Sequence, residues 1–434
     1  MGSLYAKGGS AVQIAEQFST QIKQGDLQPG DLLPPVRQLA VELGVNPNTV
    51  ASAYAKLRDA GLVATRGRAG TQVLEQPLMA ARNVRQVPEG MRDLASGNLD
   101  ATLLPALSLG AEDVFPQQNG YDVSGDLPAL CQRAGEWLTQ QGASSGEMSV
   151  FSGALDAIEK ALRSHATPGA SVWVEDPCWP PLLTLLRHLR LKPLPLPIDD
   201  QGCRLPEKEA GPQGCAVILT PRAQNPTGMS LSAARAKSWR EFLAANPACL
   251  AIVDDFWGPL SQQPLYLPCD MDNGLYVLSL SKFLSPDLRI ALACGKPPLL
   301  QAMRADQYIR ERWVSHILQQ IAVKLWAQAQ RDGLLVRAQH AYQQRRDTLT
   351  ERLHALSGIP LPPGEGVHIW LPVRSEAAAS QIMAQRGWLV QSGEPFRLKS
   401  GPAIRVSLAN LIPAQLETLA QDLVVAIGAG TLVN

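Results

Sequence analysis

The stretch VLSLSKFLSPDLRIALA, residues 277 to 293, carries the clearest chemical signal in the chain. An apolar run typical of a buried strand leads to Lys282, and a Ser-Pro turn separates this lysine from Arg289. A lysine at the end of a strand can be an ordinary solvated residue, or it can anchor a cofactor covalently. The residues that follow the other apolar runs distinguish these two interpretations.

Three further apolar runs resemble this one: ASVWVEDP at 170–177, CAVILTP at 215–221 and CLAIVDDF at 249–256. Helical patterns such as ALDAIEKALR and AARAKSWREFLAA lie among them. This alternation predicts an α/β domain whose mainly parallel sheet is covered by helices on both faces. Ligands bind beyond the carboxyl ends of the strands in such sheets. The polar residues at these ends are therefore predicted to converge on one site: Asp176, Asn225, Asp254 and Lys282.

These residues match the requirements of pyridoxal 5'-phosphate (PLP). PLP needs a lysine amine for a Schiff base, a carboxylate at its pyridine nitrogen and an anion cradle for its phosphate. Lys282 is the candidate amine and Asp254 the candidate carboxylate. Gly153 opens an amphipathic helix whose free N–H groups favour an anion, and Arg289 adds a bidentate donor. The other candidates are Ser279 and Ser281 in the lysine loop, Ala154 and Leu155 in the first helical turn, Trp179 stacked on the ring and Asn225 donating to its phenolic oxygen.

Each of these features also has an ordinary explanation. Lone lysines are usually solvated, glycines commonly begin helices, tryptophans are more often core, and Asn-Pro-Thr-Gly forms turns. Their joint occurrence at strand ends favours a cofactor site. The six histidines and seven cysteines show no metal-ligand spacing, so no metal site is predicted.

Residues 1–75 have a different pattern, that of helix, tight turn, helix and small hairpin. After the turn, apolar residues repeat at helical spacing: Val50, Ala53, Tyr54 and Leu57. Asn46 before Pro47 predicts an N-cap at the start of this helix. A helix-turn-helix lays the N-terminal end of its second helix in the DNA major groove, although small helical pairs without DNA function share the spacing. The candidate DNA contacts are Arg37, Asn48 and Thr49, with Arg66 and Arg68 at the hairpin tip.

Charge, cysteine content and the distribution of apolar residues indicate where the protein acts and which partners it has. Thirty-nine basic residues balance 39 acidic ones, so any DNA contact must come from a local patch. The scattered cysteines indicate reduced thiols, and no segment approaches the roughly 20 apolar residues that span a bilayer. We therefore expect a cytoplasmic protein with no membrane partner. Residues 76–90 lose periodicity and indicate a linker.

Residues 27–73, LQPGDLLPPVRQLAVELGVNPNTVASAYAKLRDAGLVATRGRAGTQV, closely resemble the winged helix-turn-helix of the GntR regulators. The resemblance implies contacts with double-stranded operator DNA from Arg37, from the turn and recognition-helix start, and from a wing around Gly67. The turn and helix-start residues are Asn46, Asn48 and Thr49. Pro47 stands where the family usually has arginine or another polar residue, so the family's base preference does not carry over to this chain.

Residues 91–434 resemble the fold-type I aminotransferases through FSGALDAIEKAL, EDPCWPP, NPTG, SLSKFLSPDLRIALA and AIRVSLAN. The resemblance implies that Lys282 carries PLP and that a smaller α+β part follows the main sheet. It also implies that Tyr121 reaches the phosphate bound by a partner subunit and that Arg405 binds a substrate or effector carboxylate. Phe256 replaces the tyrosine usual after the ring-nitrogen aspartate, which removes one hydrogen bond to the phenolic oxygen.

A winged helix (1–75), a linker (76–90) and an aminotransferase-like effector domain (91–434) together resemble the MocR/GabR regulators. That resemblance implies a head-to-tail homodimer in which PLP, or its adduct with an amino acid or amine, alters DNA binding. A role in vitamin B6 homeostasis follows if PLP itself is the signal. Two alternatives remain, a working aminotransferase with an appended DNA-binding domain and a large domain kept only as a dimerisation scaffold. Retention of Lys282, Asp254 and Arg289 disfavours the scaffold, whereas Phe256 disfavours efficient transamination.

Overall fold

The computed structural model of the chain describes residues 9–24, 26–28, 30–59, 62–65, 70–74, 87–106, 110, 120–121, 123–143, 146–207, 214–270 and 274–428. These residues form two compact units. The smaller unit is built mainly from the first 85 residues, and the larger unit contains most of the remaining chain.

The smaller unit contains a helix-turn-helix followed by a hairpin. Its elements are helices α1 (Ala11–Gln24), α2 (Val36–Leu43) and α3 (Pro47–Asp59) and the antiparallel strands β1 (Val63–Thr65) and β2 (Thr71–Val73). Gly44 ends α2 in the left-handed conformation, at φ 67°, which turns the chain sharply towards α3. The apolar residues predicted from helical spacing are all buried, and Phe18 packs edge-on against Tyr54 with ring centroids 5.8 Å apart.

The larger unit is organised around an eight-stranded sheet. Its strands are β4 (Glu147–Phe151), β5 (Ser171–Asp176), β6 (Lys192–Asp199), β7 (Gly202–Cys203), β8 (Gly214–Leu219), β9 (Leu250–Asp255), β10 (Gly274–Ser279) and β11 (Ala291–Gly295). Their order is β4-β11-β10-β9-β8-β5-β6-β7. The four apolar runs of the sequence form the neighbouring parallel strands β5, β8, β9 and β10. The predicted parallel centre is confirmed, while β11 and β4 continue the sheet in antiparallel pairing.

The helices of this unit bury apolar side chains in its interior. They are α4 (Pro128–Gln140), α5 (Ala154–His165), α6 (Pro180–His188), α7 (Ala233–Ala245), α8 (Pro297–Ile309), α9 (His316–Arg331) and α10 (Leu334–Ser357). Both helical patterns predicted from the sequence are confirmed, as α5 and α7. The largest side chains of the core include the fully buried Trp239 of α7 and Trp326 of α9.

The C-terminal part is a smaller α+β arrangement. Its elements are β12 (His368–Pro372), α11 (Glu376–Gln385), β13 (Trp388–Leu389), β14 (Gln391–Ser392), β15 (Ala403–Ser407) and α12 (Pro413–Gly428), and β3 (Arg92–Asp93) pairs in parallel with β13. Strand β15 lies between β12 and β14. Alternate residues of β12 and β15, such as Ile369 and Val406, enter the core of this part. His368 and Arg405 therefore lie on the opposite face of the strands.

Candidate functional site

Lys282 lies half-buried in the turn that follows β10. Its Nζ donates a hydrogen bond to the backbone carbonyl of Gly97 at 2.7 Å, although the two residues are 185 positions apart. In the sheet, Val277 of β10 is the register partner of Asp254 of β9. The parallel pairing thus brings the lysine loop and the end of the aspartate strand to the same edge of the sheet.

Asp254 is a buried carboxyl that lacks a partner for one oxygen. Its side chain is buried, and Oδ1 accepts no hydrogen bond within the part of the chain that the structure describes. Burial, with a smaller contribution from the charge of Asp255, raises the pKa of Asp254 to about 7. A buried oxygen without a donor is costly unless a ligand supplies one. The N–H of a protonated pyridine is such a donor, so Asp254 fits the ring of PLP.

Gly153 and Arg289, which are predicted to form an anion cradle, lie close together. Gly153 precedes α5 at φ 102°, and a Cβ at this position would lie 3.1 Å from Arg289 Nη2. A residue without a side chain therefore lets the guanidinium approach the start of the helix. Arg289 itself ends the short 3-10 helix Pro286–Leu288 in the left-handed conformation, at φ 51°. Ala154 and Leu155 occupy the first turn of α5, where backbone N–H groups favour an anion.

Arg405 and Asn225 contact each other beside this site. Arg405 Nη1 donates to Asn225 Oδ1 at 3.1 Å, and Nη2 donates to the backbone carbonyl of Ala95. The guanidinium carbon also lies 5.0 Å from the centroid of the Phe396 ring. These contacts hold the buried Arg405 guanidinium on the face of β15 opposite the apolar core of the C-terminal part. A ligand carboxylate could bind the guanidinium there.

The remaining predicted cofactor residues also lie at strand ends. Trp179 is half-buried just before α6, and Ser279 is buried with its Oγ accepting the N–H of Ser281 at 3.4 Å. Asp176 differs from the expectation. Its carboxylate accepts hydrogen bonds of 2.7 to 2.9 Å from the backbone of residues 398–400 and from Ser400 Oγ. The Asp176 carboxylate therefore accepts its hydrogen bonds from this loop and not from the predicted cofactor residues.

Of the residues predicted to contact DNA, Asn46, Asn48 and Thr49 lie at the turn between α2 and α3 and at the start of α3. Arg37 is exposed in the first turn of α2. Asn46 Oδ1 accepts the Asn48 N–H at 2.8 Å, which confirms the predicted N-cap. Asn46 and Asn48 are exposed and Thr49 is partly exposed, so the start of α3 presents polar groups to solvent. The hairpin-tip candidates lie outside the described residues: Arg66, Gly67 and Arg68.

Two family models match the chain. Bacterial regulatory proteins of the gntR family match residues 10–73, and aminotransferase class I and II matches residues 90–423. The chain belongs to the MocR/GabR type of GntR regulators. This MocR/GabR chain is 37% identical over 424 residues to the vitamin B6 salvage pathway transcriptional repressor PtsJ of Salmonella typhimurium, covering 96% of this chain and 98% of that protein.

A second curated relative is the HTH-type pyridoxine biosynthesis transcriptional regulator PdxR of Corynebacterium glutamicum. It is 26% identical over 370 residues, with 82% of this chain and 81% of that protein covered. The solved structure of LysN, the alpha-aminoadipate aminotransferase of Thermus thermophilus, superimposes with a TM-score of 0.68 at 20% identity. That match covers 82% of this chain and 96% of LysN, and it shows the aminotransferase fold.

The donor set on this fold identifies PLP as the cofactor of the MocR/GabR chain. Lys282 is the candidate amine, Asp254 the candidate carboxylate for the ring nitrogen, and Gly153 with Arg289 the candidate anion cradle. Within the described ranges, no group of three metal-ligating side chains comes together. The seven cysteines are free thiols. No helix in the described part of the chain is long and apolar enough to span a membrane.

Two further residues that the resemblance singled out are Phe256, which departs from the family pattern, and Tyr121. Phe256 is half-buried with its ring edge against Trp257, at 6.1 Å between centroids, and brings no hydroxyl group to the site. Tyr121 is 76% exposed, and its ring centroid lies 4.8 Å from the guanidinium carbon of Arg312. The surface position of Tyr121 leaves its contact with the phosphate of a partner subunit as a prediction.

Sequence reasoning missed His368, which is buried in β12. Its Nε2 and Lys282 Nζ lie 3.5 Å and 3.6 Å from the point that a Cβ on Gly97 would occupy. Burial, followed by the charges of Arg405, Lys282 and Arg346, lowers the pKa of His368 well below its ordinary value. The sequence signal for His368 is its place in HIWLP, where a polar residue precedes alternating apolar ones. This pattern is too common in strands to identify one histidine as a site residue.

Proposed function

We propose that this protein is a transcriptional regulator that binds operator DNA and responds to PLP or a PLP adduct with an amine or amino acid. The observation that carries the proposal is the presence of a PLP donor set, with the unpartnered buried oxygen of Asp254, on the same chain as a GntR domain. Similarity to PtsJ and PdxR supports a role in vitamin B6 metabolism. We assign residues 1–75 to DNA binding, 76–90 to a linker and 91–434 to the effector domain.

Each residue of the effector site has a defined task in this proposal. When bound, PLP supplies an electron sink that is reached through a lysine amine. Lys282 provides that amine, and Asp254 accepts the ring N–H. The first turn of α5 and Arg289 bind the phosphate, while Arg405 binds the carboxylate of an amino-acid effector. The other proposed cofactor contacts are Ala154, Leu155, Trp179, Asn225, Ser279 and Ser281.

We further propose that the regulator acts as a head-to-tail homodimer. A dimer places two recognition helices on successive DNA half-sites, and a flexible linker alone cannot fix their spacing. The effector domains must therefore set it. Tyr121 contacts the phosphate site of the partner subunit in this arrangement, which links cofactor binding to the dimer interface. The proposed DNA contacts are Arg37, Asn46, Asn48, Thr49, Arg66, Gly67 and Arg68.

A working aminotransferase is the second candidate function, because the lysine, the ring-nitrogen aspartate and Arg405 are all present. Phe256 disfavours it, since a donor to the phenolic oxygen is missing. Incubation of the PLP-loaded protein with amino acids and a 2-oxo acid, followed by amino-acid analysis, separates the two functions. Catalytic turnover of any pair would favour the enzyme.

The proposal is tested by measuring DNA binding to the protein's own upstream region with and without PLP. We expect PLP to change the affinity by a coupling energy of about 1 to 3 kcal/mol, or roughly 5- to 150-fold. Reciprocity requires DNA to change the PLP affinity by the same factor. The Lys282→Ala variant should lose most of this response. Equal DNA affinity of PLP-free and PLP-loaded protein, with and without added amines, would contradict the regulator proposal.

A further inference from the structure

The first two turns of α3 present short, uncharged side chains to solvent. Asn48, Ala51 and Ser52 are exposed, and their i, i+3, i+4 spacing places them on one side of the helix. The opposite side is buried in the core of the smaller unit and consists of Val50, Ala53, Tyr54 and Leu57. A helix-turn-helix brings the N-terminal part of its second helix into the major groove. Asn48, Ala51 and Ser52 are therefore the side chains that α3 would present to the base edges.

This part of α3 lacks the side chains that usually read a G·C pair. Residues 46–55, NPNTVASAYA, contain no Asp, Glu, Lys or Arg. The basic residues of the helix, Lys56 and Arg58, lie in its last turn. Arginine and lysine are the common readers of guanine, and a carboxylate accepts from the amino group of cytosine. The start of α3 must therefore discriminate between bases with neutral groups.

Among these neutral groups, the Asn48 side chain is the one suited to discriminate between bases. Asn46 Oδ1 already accepts the backbone N–H of Asn48 at 2.8 Å, so the cap uses its oxygen. In the part of the chain that the structure describes, no hydrogen bond engages the exposed Asn48 amide group. An amide offers an acceptor and a donor side by side, which matches N6 and N7 of adenine. The hydroxyl group of Ser52 pairs with different bases and discriminates less.

We propose that Asn48 reads an adenine in the major groove, so that each operator half-site carries an A·T pair facing the start of α3. The Asn48 amide oxygen accepts a hydrogen bond from adenine N6, and the amide nitrogen donates one to N7. Ala51 and Ser52 are short enough to let the helix approach the base edges closely. This inference rests on the proposed function and specifies which base pair the DNA-binding domain selects.

The test selects DNA from a library of duplexes with a randomised central region, using the full-length protein with and without PLP. We expect the duplexes retained by wild type to share an A·T pair at one position of each half-site that depends on Asn48. Fluorescence anisotropy then compares a selected duplex with one in which this pair is G·C. The A·T duplex should bind about tenfold or more tightly, because a bidentate base contact is worth about that factor.

Two variants of Asn48 identify the position that it reads. Asn48→Ala should lose the preference at one position of each half-site and keep the preferences elsewhere. Asn48→Arg should select guanine at that position, because a guanidinium donates to O6 and N7 of guanine. A purely structural role of Asn48 would not exchange one base for another. Asn410→Ala, at an exposed asparagine of the larger unit, is the matched control and should leave the selected sequence unchanged.

The selected sequences separate failure of this inference from failure of the proposed function. Circular dichroism and thermal unfolding establish that the Asn48 variants are folded. The inference is overturned if wild type selects no A·T pair that depends on Asn48, or if both folded variants select the same sequence as wild type. Failure of the full-length protein to retain any duplex, with and without PLP, contradicts the proposed DNA-binding function instead.

Discussion

Replacing Asp254 with asparagine should stabilise the PLP-free protein increasingly as pH rises. The pKa of Asp254 is about 7 in the folded protein, against an ordinary value of 3.8, because the carboxyl is buried. Between these values the folded protein holds a proton that the unfolded chain has released, so the free energy of unfolding falls as pH rises. The slope is about 1.4 kcal/mol per pH unit, and the effect levels off above pH 7. Asparagine has nearly the same shape and does not ionise.

The difference between the Asp254→Asn variant and wild type should therefore grow by about 3 kcal/mol between pH 5 and pH 8. Any constant cost of burying the amide cancels in this comparison. Urea unfolding of PLP-free protein, followed by tryptophan fluorescence, measures the effect at both pH values. Asp200→Asn, at an exposed position, is the matched control and should show no such growth.

A difference that is the same at pH 5 and pH 8 would refute the reasoning, because it would mean that Asp254 ionises as an ordinary carboxyl does. The same variant should bind PLP at least about tenfold more weakly, since an amide does not replace a carboxylate opposite a protonated pyridine. Unchanged PLP affinity would show that Asp254 is not the partner of the ring nitrogen.

Three further predictions concern the lysine, the anion cradle and the DNA surface. Borohydride treatment should fix PLP to a peptide that contains Lys282, and Lys282→Ala should abolish the link; a modified lysine elsewhere would contradict the assignment. Gly153→Ala should weaken PLP binding about tenfold, because the new methyl group meets Arg289 Nη2 at 3.1 Å in a strained backbone conformation, whereas Gly401→Ala, with open space around it, should not. Arg37→Ala should weaken DNA binding and reduce its salt dependence by about one counterion while PLP affinity is kept, and an unaltered salt slope would place the DNA surface elsewhere.

The sequence was sufficient for those parts of the site that depend on local patterns. Strands buried on both faces need near-continuous apolar runs, so β5, β8, β9 and β10 were recognisable individually. Their parallel pairing then brought Asp254 and the Lys282 loop to one edge of the sheet, as expected. The N-cap at Asn46 followed from the side chain alone.

Other parts depend on contacts between distant segments, for which periodicity gives no signal. Lys282 donates to Gly97, which lies 185 positions earlier in the chain. His368 acquires its surroundings only when β12 and β15 pair and present one face to these residues. Asp176 resembles the other polar residues at strand ends, yet its carboxylate accepts hydrogen bonds from a loop more than 220 positions later in the chain. No local pattern distinguishes these cases.

The short segment 92–97 contacts two residues of the candidate site, Arg405 and Lys282. It is pinned by β3 to β13, and its last carbonyls accept hydrogen bonds from Arg405 at Ala95 and from Lys282 at Gly97. These two cations are also the groups that we assign to the effector and the cofactor. A ligand that engaged these two cations would compete with the carbonyls of this segment for their donors. Ligand binding would then act directly on the backbone just after residues 76–90, which we propose to be the linker.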